Sequence, residues 1–301
     1  MTTRSPPYTS ACDTVPALPS AAEILARAAG ENFRVASRLL PAATREHLLA
    51  LYGYARLVDQ LGDAYTGDRL AALEGVATQV ERAWADPGAA GLNPLVARAV
   101  GAARRVRGDA EPLLDLVRAN VADQTVHRYE TFADLLGYCR LSANPVGRLV
   151  LDALGAATPE RQAWSDSICS GLQLAEHWQD VAEDATAGRV YLPAEDLRRF
   201  GVDESELTAA PPASRELRAL MAFEVARARR LLDEGVPLVA SLAGRPRVAV
   251  AGFVAGGHGA LDAIAARGFD PLAGAPRPSR RRVAVRMGSL LRSSLARRGA
   301  A

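Results

Sequence analysis

Lysine is absent from this chain of 301 residues, and all 36 of its basic side chains are arginines. A Schiff-base lysine and a phosphate-loop lysine are both excluded by that absence. Cysteine is scarce: Cys12, Cys139 and Cys169 stand far apart, with no C-x-x-C pair. Such usage speaks against a structural zinc or an iron–sulfur cluster and for a reducing, cytoplasmic setting. The four histidines show no H-x-x-H or H-E-x-x-H spacing, which leaves zinc-hydrolase chemistry without a ligand set. Long apolar runs are missing too. The longest uncharged apolar stretch, 248–261, is broken by glycines and His258 and is shorter than a bilayer crossing needs. The start of the chain is rich in Pro, Ser and Thr without an apolar signal core, so 1–19 reads as a flexible leader. Apolar residues at 49% and charged residues at 23% describe an ordinary globular chain.

From about residue 20 to 267 nearly every segment has helical period, and Ala, Leu and Arg, all good helix formers, dominate. Breaks are expected at Leu40-Pro41, Asp86-Pro87-Gly88, Gly91-Leu92-Asn93-Pro94, Gly108-Asp109, Gly155, Gly188 and 209–214. Pro145 should kink the helical stretch 132–154. The expectation is one all-α domain over 20–275, a helical bundle of roughly ten to twelve helices around an apolar cavity. Charge is distributed unevenly. All 34 acidic residues lie at or before Asp270, so 1–270 carry −6 and the last 31 residues +8.

Two stripes of polar residues carry the chemistry. A helix turns about 100° per residue, which puts Tyr52, Arg56, Asp59 and Asp63 on one narrow face, at offsets 0, 4, 7 and 11. Gln173, His177, Asp180 and Asp184 repeat those offsets. Each stripe ends in two aspartates four residues apart, on helices that are largely apolar elsewhere. One D-x-x-x-D is best read as a solvated pair, but two with matching flanks are harder to explain by chance. Four carboxylates facing one another across an apolar bundle are costly unless cations sit between them. Oxygen-only ligands point to Mg²⁺, completed by a substrate phosphate. Glu176 lies about 40° around the helix from Asp180 and could add a carboxylate. His177 reads as a satisfied core histidine, and Asp166 and Glu183 as solvated.

These residues resemble the signatures of the squalene/phytoene synthases, all-α enzymes acting on prenyl diphosphates. ENFRVASRLLP with LYGYARLVDQLGD looks like the first signature, QDVAEDATAGRVYLP like the second, and GYCRLSANPVGRLVL like the stretch between them. The resemblance spans roughly 31–282. Trp178-Gln179-Asp180, 142–147 and Gly256-Gly257 are most similar to the bacterial hydroxysqualene synthases, which convert presqualene diphosphate in squalene and hopanoid biosynthesis. By resemblance Asp59, Asp63, Asp180 and Asp184 hold Mg²⁺, with Glu176 standing where the family usually has Asn. Arg56, Arg189 and Arg277 bind diphosphate, Tyr191 belongs to the second signature, and Gln173 positions water or phosphate. Tyr52 and Tyr138 line the cavity near the cation. The rivals are head-to-head condensation of farnesyl diphosphate and a non-catalytic helical protein binding a prenyl lipid or an assembly partner.

The tail, 276–301, repeats apolar residues at Val283, Met287, Leu291 and Leu295 among eight arginines after Asp270. A basic amphipathic helix lying on an anionic membrane is one reading and a solvated end the other. Nucleic acid is not an expected partner, because the body is acidic and carries no DNA-reading motif.

Overall fold

The computed structural model describes residues 42–298, with side chains to Ser293. The leader, Cys12, the Leu40-Pro41 break and the start of the first signature lie outside the described residues.

Local sequence sets the helix limits. α1 (Ala42–Asp63) is the first helix among the described residues and ends at the second aspartate of its own stripe. α2 (Arg69–Ala85) is capped by the Asp68 side chain, and α3 (Pro94–Arg105) by Asn93 with proline in its first turn. α4 (Glu111–Ala122) follows the Gly108-Asp109 break. α5 (Phe132–Ser142) starts at a reciprocal Thr131–Asp134 capping box. Pro145 does more than kink the next stretch. It occupies the first turn of a separate helix, α6 (Asn144–Ala153), where its missing N–H is not needed. α7 (Pro159–Gln179) and α8 (Val181–Thr186) carry the second stripe. α9 (Ala194–Phe200), a 3₁₀ turn (Glu204–Thr208), α10 (Arg215–Gly235), α11 (Pro237–Ser241), α12 (Gly244–Ala266) and α13 (Arg280–Arg298) complete the order. That makes thirteen α-helices among the described residues, more than the ten to twelve expected. The excess arises because 132–154, 173–184 and 215–241 each split at a proline or at a non-helical dihedral.

Two apolar clusters divide the helices. Leu48, Tyr54, Leu57, Val58 and Leu61 of α1 pack with α2, α3, α4 and one face of α6. Leu174 and Trp178 of α7 pack with Leu217, Leu220 and Val225 of α10 and Val254 and Leu261 of α12. Burying each such side chain stabilises the fold by about 1.5–3 kcal/mol. α4 touches α1 on one side and α5 on the other, so it joins the two halves. α7 and α10 approach closely because Gly171 has no side chain. A Cβ there would lie 2.9 Å from Leu232 Cγ and 3.1 Å from the Ala228 carbonyl oxygen. Asp166, read from sequence as solvated, instead accepts from Arg148 at 3.1 and 2.7 Å across the α6–α7 contact.

The apolar stretch 248–261 lies inside α12, which at 23 residues is long and apolar enough by length and composition to cross a membrane. More than half of its most apolar window is buried inside the protein, as in the core helix of a packed domain. As far as Leu291, the apolar face of the tail turns toward the domain. Val283 seats on Gly259 of α12, Met287, Leu290 and Leu291 pack against the second cluster, and Arg247 bonds to the Leu291 carbonyl.

Candidate active site

The first stripe forms as its spacing requires. The apolar face of α1 is buried in the first cluster, which leaves Arg56, Asp59 and Asp63 on the open side. Arg56 lies 3.9 Å from Asp59 Oδ2. Tyr52, one turn earlier, packs beside the first cluster.

The second stripe is bent, where an unbroken helix was expected. Asp180, at φ −108° and ψ 14°, separates α7 from α8. Its N–H is shared between the Glu176 and His177 carbonyls at 3.1 and 3.3 Å, while its own carbonyl accepts from Asp184 N at 2.8 Å. The i, i+4 link therefore survives the bend and keeps Asp180 and Asp184 on adjacent turns. Gly188, at φ +84°, then reverses the chain in a conformation other residues rarely adopt. Arg189 N donates to the Asp184 carbonyl at 2.8 Å, and the Arg189 guanidinium reaches Asp63 at 3.5 Å. One arginine from the second signature thus meets one aspartate from the first.

A third helix contributes, and sequence reading missed it. Asn120 at the end of α4 lies near Asp59 and works to lower its carboxyl, while its own Nδ2 donates to the Leu116 carbonyl at 3.1 Å. Asp123, just beyond, accepts from the Tyr138 hydroxyl at 3.0 Å and feels the charges of Arg189, Asp63 and His177. Gln124 donates to the Gly62 carbonyl at 3.2 Å and so ties this end of α4 to α1. The signal was present: Asn120, Asp123 and Gln124 fall at offsets 0, 3 and 4 at the end of an apolar helix.

Behind the acids stands an aromatic group. Tyr191 stacks on His177 at 3.6 Å and 15°, Tyr129 lies 5.6 Å from Tyr138, and Tyr138 and Tyr129 each lie 5.9 Å from Tyr191. His177 is buried, as a core histidine should be, yet it belongs to the site. Its Nε2 is 3.1 Å from Gln173 Nε2, and its Nδ1 is 3.8 Å from Asp184 Oδ2. Arg277 lies elsewhere, lining a cavity of about 380 Å³ with Asp262, Arg267 and Arg282. The segment before it is tied to the end of α7 by Gln179, which donates to the Pro276 carbonyl at 2.6 Å.

The charge balance of the site is unfavourable as it stands. Burial pushes the Asp59 carboxyl up to about 6; Arg56 opposes this, and Asp63 and Asp123 add to it. Burial, then Asp184 and Glu183, hold Asp180 above its usual range, and burial also raises Asp123. At Glu176 burial raises the carboxyl as well, with His177 opposing and Asp180 adding to the shift. These carboxyls outnumber Arg56 and Arg189, so a bound cation would relieve them. Among the described residues no three such groups close on one point as a ready-made cage. The donors that are present are carboxylate oxygens, the type Mg²⁺ takes together with water and substrate phosphate.

The family described as squalene/phytoene synthase matches residues 26–288. A hydroxysqualene synthase of Rhodopseudomonas palustris is 35% identical over 217 residues, covering 70% of this chain and 71% of the relative. A phytoene synthase of Thermus thermophilus is 33% identical over 250 residues, covering 82% and 83%. The crystal structure of squalene synthase HpnC from Alicyclobacillus acidocaldarius superposes with a TM-score of 0.77 at 39% identity, covering 82% of this chain and 92% of that one. With the family match running over 26–288 and these relatives covered over more than two thirds of their length, the chain belongs to the squalene/phytoene synthase family.

Proposed function

We propose that the protein is a Mg²⁺-dependent hydroxysqualene synthase, which ionises presqualene diphosphate and lets water trap the rearranged cation. The observation that carries this is the Arg189–Asp63 contact, which joins the two aspartate motifs beside Arg56. Asp59, Asp63, Asp180 and Asp184, with Glu176 alongside, would hold Mg²⁺. The bound metal neutralises the charge that develops on the departing diphosphate. Arg56 and Arg189 grip diphosphate oxygens through paired N–H donors. Arg277 joins them only when the segment tethered by Gln179 carries it toward the same anion. The faces of Tyr138, Tyr191 and Tyr129 offer negative potential to a carbocation, and the half-buried Tyr52 extends the wall. Gln173, fixed against His177, orients the water that forms the new C–O bond and loses a proton.

Head-to-head condensation of two farnesyl diphosphates is the second reading, favoured by the longer match to a relative named phytoene synthase. Incubation with presqualene diphosphate and Mg²⁺ in H₂¹⁸O should give hydroxysqualene with a labelled hydroxyl and no NADPH consumption. Product from farnesyl diphosphate alone, or squalene formed with stoichiometric NADPH oxidation, would replace the first reading with the second. The same proposal places the enzyme in the cytoplasm, peripheral to the inner face of the membrane. With the apolar side of α13 packed inward, contact there would run through its arginines and anionic lipid.

A further inference from the structure

Beside the site, α9 and α10 enclose charged groups that the chemistry above does not use. Glu224 of α10 is fully buried and Asp196 of α9 is 2% exposed. Arg227 Nη1 bonds to Asp196 Oδ2 and lies 3.1 Å from Glu224 Oε1. Its guanidinium is held between Phe132 and Phe223, 4.4 and 4.2 Å from the ring centroids. One cation therefore serves two buried carboxyls, and Glu224 Oε2 is buried without a donor. Two ionised carboxylates sharing one counter-charge at this depth are costly, and a shared proton removes the cost. Burial is the largest cause of the shift at Glu224; Arg227 opposes it, Asp196 adds to it, and the carboxyl is pushed up to about 8. The charged groups bearing most on Glu224 are Arg227 on its own helix and Asp196 on α9; α7, α11 and α12 also pack on α10. Arg199 of α9 stacks on the far ring, 4.8 Å from the Phe223 centroid.

The position of α9 matters because the second signature runs straight into it. Ala194 N donates to the Tyr129 carbonyl at 2.9 Å and Glu195 N to the Glu130 carbonyl at 3.0 Å. Phe132 N returns a bond to Glu195 Oε1 at 2.8 Å, and upstream Val190 N donates to the His127 carbonyl at 2.8 Å. Where α9 sits therefore fixes where Arg189 and Tyr191 sit.

We propose that Asp196, Arg227 and Glu224 form a proton-sharing clamp that holds α9 on α10 and so positions Arg189 and Tyr191 for the diphosphate. They are positioning residues, and the proposal rests on the role given to Arg189 above. The test compares wild type, Asp196→Asn, Glu224→Gln and Arg189→Ala in the full chain. Amide-exchange protection factors at Val190, Ala194 and Glu195 are read at pH 7 and pH 9, with kcat and KM for presqualene diphosphate. Wild type should lose protection at those amides by about tenfold or more between pH 7 and 9, as the shared proton leaves. Glu224→Gln, which cannot ionise, should keep both protection and kcat across that range. Asp196→Asn should be loose already at pH 7, with kcat reduced more than KM is raised. Protection unchanged in Asp196→Asn, or the same alkaline loosening in Glu224→Gln as in wild type, would overturn the clamp. If Asp196→Asn does not fold, the comparison of Glu224→Gln with wild type decides alone. Normal turnover in Arg189→Ala would overturn the link to the reaction while the exchange data still judged the clamp.

Discussion

Asp59 stands among four other polar groups, Arg56 and Asp63 of α1 and Asn120 and Asp123 at the end of α4, and its titration reports the state of the whole mouth. Its folded value of about 6 lies above the ordinary 3.8, so the metal-free fold loses stability through this group as pH rises from about 4 to about 6. Cation binding works in the opposite sense, because the ligand must be ionised. Mg²⁺ affinity, read by thermal shift, should rise about tenfold per pH unit below 6 and level off above it; a flat profile would remove Asp59 from the ligand set. Asp59→Asn and Asp180→Asn should each lower turnover by about 10²-fold or more while helix content by circular dichroism stays constant. Wild-type rates in both, or full activity in EDTA, would sink the metal reading. Asp123→Ala removes the acceptor of the Tyr138 hydroxyl, so turnover should fall about tenfold without loss of helix.

Two glycines in the second half separate helix propensity from packing. Gly252, inside α12, would place a Cβ 3.9 Å from Met287 Sδ, an ordinary contact, so Gly252→Ala should stabilise by about 0.5–1 kcal/mol. Gly171→Ala gains the same propensity but drives a methyl against Leu232 and the Ala228 carbonyl. It should cost about 1–3 kcal/mol in chemical denaturation, and equal midpoints for the two variants would contradict the close α7–α10 approach. Elements of this kind also mark what a sequence can and cannot disclose. The α1 stripe was legible because one continuous helix fixes its own geometry, and the breaks at 86–88, 91–94 and Gly188 because Gly and Pro act locally. The bend at Asp180 was not, since no proline or glycine marks it and the hydrogen-bond ladder runs through. The part of α4 was overlooked because Asp123 matters only once Tyr138, from another helix, meets its carboxylate. His177 was rightly read as buried, yet its role depends on Tyr191, fourteen residues on and around a turn.

At the scale of the molecule, the tail belongs to the second half. A chain ending at Pro278 would lose the contacts of Val283, Met287, Leu290 and Leu291 with the domain. Its unfolding free energy should fall by on the order of 2–4 kcal/mol, and an unchanged denaturation midpoint would make α13 a detached appendage. Between the halves, the contact of Arg189 with Asp63 is long and well exposed, a pair worth roughly 0–1 kcal/mol. Such a bond is cheap to exchange. A diphosphate offers the guanidinium two aligned oxygens in place of one distant carboxylate, and Arg189 would turn to it readily. On the proposed reading Asp63 would then be left without its counter-charge as the anion arrives, and would draw in the metal that travels with it. The cleft would work as an ion exchanger, releasing its internal cation to the phosphate and taking an external one into the vacancy.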